Sequence, residues 1–426
     1  MKIWRVASHL FPNMKNNNYT RRTCRLCGSV DLSIALTLTP SPLADAYIPK
    51  SLITVRQPRY PLTLMMCKKC SHVQLHDVIH PKNIYVHYIY ETVSSLGLVK
   101  HFRDYAQQVV QTIQPHPNAL VVDLGSNDGT LLACFKKHGL RVLGVDPARE
   151  IARLATLSGI ETIPDFFTPT GATTVRKKYG PAAIVTANNI YANIDDLDAF
   201  TSGIKELLAP DGVFIFESFY LADLIRHMVF DFIYHEHLSY FSVTPLRTFF
   251  QKHNMELIDI VRVPTKGGSL RYTVQRAGGP RTISPSVGKL VAFEKSFGLQ
   301  NIQTFTSFAK RIHKAKQNLH KFIHTIQKQK KVVAGFGASA TTTTLLYHFD
   351  LNDTVSFLID DYEKKQQTFS PGSHIPVLSS RAIDTMKPDY ILMLAWRYTE
   401  PIVKKHATFL RGGGHFIVPL PKLQII

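Results

Sequence analysis

Acidic residues are scarce in this chain of 426 residues: 31 Asp and Glu stand against 50 Lys and Arg, a formal net charge of +19. A surface of that sign attracts polyanions, whether nucleic acid, an anionic membrane face or a phosphorylated small substrate. The cations are dispersed, with short runs only at Lys328–Lys331 and Lys136–Lys137, so a solvated basic surface accounts for most of them. Long apolar runs are missing too. None reaches the length of a bilayer span, and the N-terminus lacks the sustained apolar core of a signal peptide. A membrane partner is therefore not expected, and a cytoplasmic location is. Cysteine is sparse: five residues, four of them in two close pairs, with Cys134 alone. In a reducing compartment such thiols are free to bind metal. Hydrophobic residues at 45% and charged residues at 19% exclude a disordered chain, and the length calls for two or three domains.

The order of the chain supports that count. Residues 1–22 form a basic, asparagine-rich extension without periodicity, expected to be flexible, with Met14 as an alternative start. Residues 23–80 hold the cysteine pairs among short strand-like pieces such as Arg59–Met66. Residues 81–285 open on an amphipathic helix over 98–114. Buried strands follow at Ala119–Leu124, Arg141–Val145, Ala182–Thr186 and Gly212–Glu217, separated by helices. Residues 286–330 read as connecting helices. Over 331–426 the alternation restarts, with strands at Lys331–Gly335, Val355–Asp360, Asp389–Leu394 and His415–Val418. The expected fold is α/β: a small N-terminal module, then two Rossmann-like halves with parallel sheets.

The cysteines run Cys24-Arg-Leu-Cys27 and Cys67-Lys-Lys-Cys70. A two-residue gap lets both thiolates of a turn face one tetrahedral ion, so the two pairs predict a structural zinc site. A pair of disulfides, or unrelated cysteines, is the alternative. Four thiolates would leave no open position for a substrate.

The segment Val121-Val122-Asp123-Leu124-Gly125-Ser126-Asn127-Asp128-Gly129 follows a buried strand and opens a helix. Gly125 and Gly129 allow close approach of a ligand. The spacing is Asp-x-Gly-x-x-x-Gly and not the dinucleotide fingerprint, so it suits an amino-acid head group better than a pyrophosphate. That points to S-adenosylmethionine, with Asp123 facing its ammonium and Asp146, after the next strand, placed for ribose hydroxyls. Asp165 is expected near the adenine amine, with Phe166 or Phe167 beside the ring. Another kind of nucleotide-binding fold is the competing reading.

A second turn, Gly335-Phe336-Gly337-Ala338-Ser339-Ala340, does match Gly-x-Gly-x-x-Ala, with Asp360 and Asp361 after the next strand. Alone it would suggest an NAD-dependent oxidoreductase; it also suits the phosphates of a nucleotide attached to a substrate. Between the halves lies Asp231-Phe-Ile-Tyr234-His235-Glu236-His237-Leu-Ser-Tyr-Phe241. Tyr, Glu and His together supply a proton acceptor and groups to orient it. A polar segment packed by its own aromatics is the bland alternative. A non-catalytic, zinc-containing nucleic-acid binder would explain the charge, but neither the first glycine turn nor this segment.

Taken in order, these motifs resemble the sugar C-methyltransferases that act on nucleotide-linked 4-keto-deoxysugars. The resemblance covers nearly everything after residue 22, including Pro42–Asp45, Ala187-Asn188-Asn189, Gly267-Gly268-Ser269-Leu270-Arg271, Pro371–Pro376 and Leu394-Ala395-Trp396. It implies a zinc module, a central S-adenosylmethionine domain and a C-terminal Rossmann-like domain, with the substrate between the last two. It implies His237 as general base, with Glu236, Tyr234 and a tyrosine from the preceding segment, Tyr90, as partners. Asn188 joins the donor site, and Gly267, Gly268, Arg271, Gly335, Gly337, Trp396 and Arg397 the substrate site. The implied partner is a nucleotide-linked keto-deoxysugar, with no nucleic acid. Three positions depart from the family pattern: Asn193 for His, Thr341 for Lys and Arg397 for Asn.

Overall fold

The structure, a computed structural model, describes residues 18–85, 92 and 97–426. Most of the basic extension, Met14 included, and the expected site residue Tyr90 lie outside the described residues.

The central sheet has seven strands in the order Met255–Val263, Ser269–Arg276, Leu208–Phe219, Ala182–Thr186, Leu120–Leu124, Arg141–Val145 and Thr162–Ile163. All point the same way except Ser269–Arg276, which runs antiparallel to both neighbours. The middle strands are uninterrupted apolar runs because helices cover both faces. Leu98–Ile113 buries Leu98, Phe102, Tyr105, Ala106, Val109 and Ile113, one stripe at helical spacing, and stops at left-handed Gln114. The order reverses beside Leu120–Leu124, so the glycine turn after that strand opens at the switch point where open α/β sheets bind ligands.

A second parallel sheet runs Val377–Leu378, Leu358–Ile359, Val333–Phe336, Tyr390–Met393 and His415–Val418, closed by antiparallel Gln424–Ile425. The expected strand over 355–360 shortens to Leu358–Ile359. Helices Pro285–Phe297 and Ile302–Lys328 connect the two halves.

The N-terminal module is a four-stranded antiparallel sheet, Leu32–Ser41, Tyr60–Cys67, Val73–Leu75 and Ser239–Tyr240. Its last strand comes from the distant His–Glu segment: Ser239 pairs with Gln74 and Tyr240 with Val73. The module also bonds to the C-terminal half. Ile48–Pro49 pairs with Thr368–Phe369, Thr343 Oγ1 donates to the Ala44 carbonyl at 2.6 Å, and Lys365 ion-pairs with Asp45 beneath the ring of Tyr47. The Pro42–Asp45 and Pro371–Pro376 motifs are therefore joints between parts.

Candidate active site

The four cysteine sulfurs lie within 4.8 Å of one another, with Cys24 and Cys70 Sγ 3.6 Å apart and Cys27 and Cys67 Sγ 3.5 Å apart. These separations are far too long for a disulfide and close to the roughly 3.8 Å edge of a zinc–sulfur tetrahedron. The residues fit a structural zinc ion.

The first glycine turn opens on a cavity of about 420 Å³. Asp123, Gly125, Asn127, Asp146, Phe166 and Asn188 line it, as do Ser126, Phe167, Asn193 and Asp195. The turn is built by backbone need. Gly125 has φ of 73°, and a Cβ there would lie 2.6 Å from Ile190 Cγ2. Asn127 is left-handed at 49°, its N–H donating to Asp146 Oδ2 at 2.8 Å while its side-chain oxygen accepts from Thr92 N at 2.9 Å. Asp146 also accepts from Ala148 N at 2.8 Å. Burial pushes the Asp123 carboxyl up to about 7, although Thr186 Oγ1 donates to it at 2.6 Å. A buried carboxyl of this kind awaits a cation. Ser126 Oγ and Asn188 Nδ2 are buried beside the cavity without a hydrogen-bond partner among the described residues. Two expected residues fall elsewhere. Gly129 caps the helix Thr130–Lys136 against Ile160. Asp165 is exposed, outside the cavity wall, and accepts Phe166 N at 2.7 Å.

A second cavity, about 860 Å³, lies between the central sheet and the C-terminal half. Lys100, His101, Arg226, His227, Lys266, Gly267, Trp396 and Arg397 line it. Arg397 Nη1 donates to buried Asp231 Oδ2 at 2.7 Å, beside Trp396 Nε1 at 3.0 Å, and its Nη2 donates to Thr341 Oγ1 at 3.3 Å. The departures at 341 and 397 thus touch each other: the cation that one element lacks comes from the other. Arg271 does not reach the cavity. It is buried, with Nε donating to Glu217 Oε1 at 2.7 Å, while Glu217 Oε2 holds His101 Nε2 at 2.7 Å. Its part is to hold His101 in the wall. Gly268 packs against Asp223, where a Cβ would come within 2.7 Å.

The second glycine turn is filled by protein. A Cβ on Gly335 would lie 2.6 Å from Leu394 Cδ1, and one on Gly337 2.8 Å from Ala395 Cβ. Both Asp360 oxygens are taken by backbone N–H groups, of Ala338 at 2.6 Å and Tyr362 at 2.8 Å. The helix that follows, Ala340–His348, is buried on nearly every side, with Thr344 Oγ1 donating to the Ile233 carbonyl at 2.9 Å. These glycines serve packing, and neither lines the two cavities.

The His–Glu segment runs between the module and the central sheet, with Phe241 packed on Tyr191 at a ring distance of 5.5 Å. His235 turns to the module, its Nε2 lying 3.3 Å from the Tyr60 carbonyl. His237 faces the other way, against Tyr234 at 4.0 Å and Phe219 at 4.7 Å. Its Nδ1 donates to the Phe232 carbonyl at 2.8 Å, which leaves the lone pair on Nε2. Burial, opposed by that hydrogen bond and assisted by the charge of Lys266, brings the imidazole down to about 3. The Phe232 carbonyl, and not Glu236, supplies the hydrogen bond that orients it. Glu236 acts instead on Tyr85, Tyr234 and Lys266, and burial pushes both phenols far up. Tyr85 and Lys266, which sequence reasoning passed over, carry the walls of the cavities to this segment.

Residues 24–85 match the family described as a zinc binding domain, residues 98–260 a methyltransferase domain, and residues 264–421 a C-methyltransferase C-terminal domain. Among curated proteins, C-methyltransferase NovU of Streptomyces niveus is 33% identical over 404 residues, 95% of this chain and 96% of that protein. Solved structures align more loosely. Magnesium protoporphyrin IX methyltransferase of Synechocystis PCC 6803 is 15% identical, over 43% of this chain and 84% of that one, at a TM-score of 0.34. The 1,6-didemethyltoxoflavin-N1-methyltransferase of Burkholderia thailandensis is 22% identical, over 41% of this chain and 78% of that one, at 0.31. Matched nearly end to end by one relative, and region by region by three families, the chain belongs to the C-methyltransferase family and depends on S-adenosylmethionine.

Proposed function

We propose that the protein methylates C3 of a nucleotide-linked 4-keto-deoxysugar through an enolate, in branched deoxysugar biosynthesis. The observation that carries this reading is His237, a neutral imidazole whose Nδ1–H is tied to the Phe232 carbonyl and whose Nε2 is left with its lone pair. Bound in the first cavity, S-adenosylmethionine supplies an electrophilic methyl group. Asp123 would hold its ammonium, Asp146 its ribose, and Ser126 and Asn188 its remaining polar atoms. His237 Nε2 takes the proton from C3 next to the ketone, and the Phe232 carbonyl stabilises the imidazolium that results. Tyr234, packed at a tilt against His237 and kept protonated by burial, is a hydrogen-bond donor to the same centre; Tyr90 is assigned a similar part. The cations of the second cavity, Lys100, Arg226 and Arg397, suit a nucleotide diphosphate.

The test is incubation with labelled S-adenosylmethionine and a panel of TDP-, GDP- and CDP-linked 4-keto-deoxysugars, with mass and carbon assignment of the product. His237→Asn should lose about 10²–10⁴-fold in turnover while still binding donor. Near-normal turnover would remove His237 from the role of base. Smaller losses are expected in Tyr234→Phe and Tyr90→Phe, and full activity in both would leave neither phenol a catalytic part.

A further inference from the structure

The two cavities share two wall residues among those described, Leu98 and Lys266. One is apolar, so the junction between the donor side and the inter-sheet side carries a single charge. Lys266 sits in the turn Thr265–Gly267, between the last two strands of the central sheet. Its backbone is left-handed, with φ of 56° and ψ of 27°. A lysine pays about 1–2 kcal/mol to hold that conformation and persists in it only where the surroundings demand it. They do: Gly268 N donates to the Thr265 carbonyl at 3.0 Å, Tyr220 N to the Gly268 carbonyl at 3.1 Å, and His227 Nδ1 lies 3.2 Å from the Gly267 carbonyl.

An ordinary turn lysine extends into solvent. This one is turned inward, partly buried, and no carboxylate of the described residues comes within 4.0 Å of its ammonium. Its charge nonetheless reaches His237, and those of Glu236, Glu217 and Arg397 reach it. An ammonium partly withdrawn from water, with no described carboxylate against it, is stabilised when a ligand brings negative charge to it.

The proposed chemistry needs such a group. A neutral imidazole in an apolar setting is a weak base, and a proton beside a ketone is weakly acidic. The transfer becomes favourable only if the oxygen's negative charge is met as it forms. We infer that Lys266 receives the carbonyl oxygen of the substrate and holds the oxyanion that develops there while His237 removes the adjacent proton. The C–H bond breaks and its proton goes to Nε2. Its electron pair becomes the C=C bond, and the carbonyl π pair moves to oxygen against the ammonium. When the C=C pair attacks the sulfonium methyl group, the S–CH3 bond breaks with its pair left on sulfur, S-adenosylhomocysteine departs, and the oxygen pair returns to restore the ketone. This inference rests on the carbon-acid reading above.

The test separates the two. In D₂O, without methyl donor, wild-type enzyme is incubated with TDP-, GDP- and CDP-linked 4-keto-6-deoxyhexoses, and deuterium entry at the carbon beside the ketone is followed by NMR. Exchange in none of them would overturn the carbon-acid reading and this inference with it. With the sugar that exchanges fastest, Lys266→Met should slow exchange by about 10²–10³-fold. Its donor affinity and substrate KM should stay within threefold of wild type. In Lys266→Ala, added methylammonium should restore part of the exchange, which a merely structural lysine would not allow. The wild-type rate should fall as pH rises through about 8, where burial places the Lys266 ammonium, and Lys266→Arg should move that limb upward. Exchange in Lys266→Met within threefold of wild type, or a loss confined to KM, would overturn the assignment while leaving the carbon-acid reading intact. So would a folded Lys266→Ala that amines do not rescue.

Discussion

Arg25 stands between two cysteines of the metal knuckle, yet its guanidinium serves the donor cavity. Its side chain is fully buried; Nε donates to Asp195 Oδ1 at 2.9 Å and Nη1 to the Leu75 carbonyl at 2.8 Å. Asp195 belongs to the cavity wall with Asn193 and Ile194. Removing one member of a buried ion pair costs about 3–5 kcal/mol. Two features place Arg25→Met at the lower end: Asp195 keeps 18% of its side-chain exposure, and Arg21 Nη1 remains 3.2 Å from the same oxygen. A loss of about 3 kcal/mol is expected. The assay pairs urea denaturation with calorimetric titration of S-adenosylmethionine, after zinc content has been checked. The variant should keep its zinc, unfold at clearly lower urea and bind donor about tenfold more weakly, which is about 1.4 kcal/mol. Arg25→Lys should fall between, because an ammonium keeps the charge but not the fork. An Arg25→Met protein with zinc, an unchanged midpoint and donor affinity within twofold of wild type would refute the link between knuckle and cavity.

Further outcomes follow from the two cavities. Asp123 is held near 7 by burial against an ordinary value of about 3.9 when unfolded. The protonated form therefore favours the folded apo-protein: this contribution is complete below the unfolded value and is lost as pH rises through about 7. An ammonium bound at Asp123 reverses the preference, so donor binding at pH 6 should release a proton. Titration in buffers of different ionisation enthalpy should detect it, and Asp123→Asn should abolish it; an unchanged release would place the ammonium elsewhere. Arg397→Asn leaves buried Asp231 with Trp396 as its remaining partner among the described residues and should raise substrate KM at least tenfold. Thr341→Lys added to it should recover most of that loss; effects of the two changes that simply multiply would show the positions to be independent.

The parallel strands were legible because burial on both faces leaves runs such as Val121–Leu124 and Ala182–Thr186 almost free of polar residues. Ser269–Arg276 does not read as a strand, since Arg271, Thr273 and Gln275 interrupt it, and Arg271 and Thr273 find their partners, Glu217 and Ile215, in distant chain. The donor turn was legible through its glycines and carboxylates. Gly335 and Gly337 show the limit of that logic, because a glycine demanded by Leu394 or Ala395 reads the same as one demanded by a phosphate. Lys266 was overlooked for the opposite reason. In Thr-Lys-Gly-Gly a lysine reads as a solvated turn, and only the fold turns it inward. The contact of Arg397 with Thr341 joins two departures that are 56 residues apart and look unrelated in the sequence.

The short strand Ser239–Tyr240 has a consequence for how this protein can be recombined. It completes the cysteine module's sheet from 165 positions downstream of Gln74, the residue that Ser239 pairs with. A module exchanged with a relative's along a boundary near residue 80 would leave its own edge strand behind and meet a foreign one. Chimaeras that carry the segment 234–241 together with the module should therefore stay soluble and active more often than those cut at the apparent domain border. The sequence that carries the proposed base is inherited, in effect, as part of the metal module.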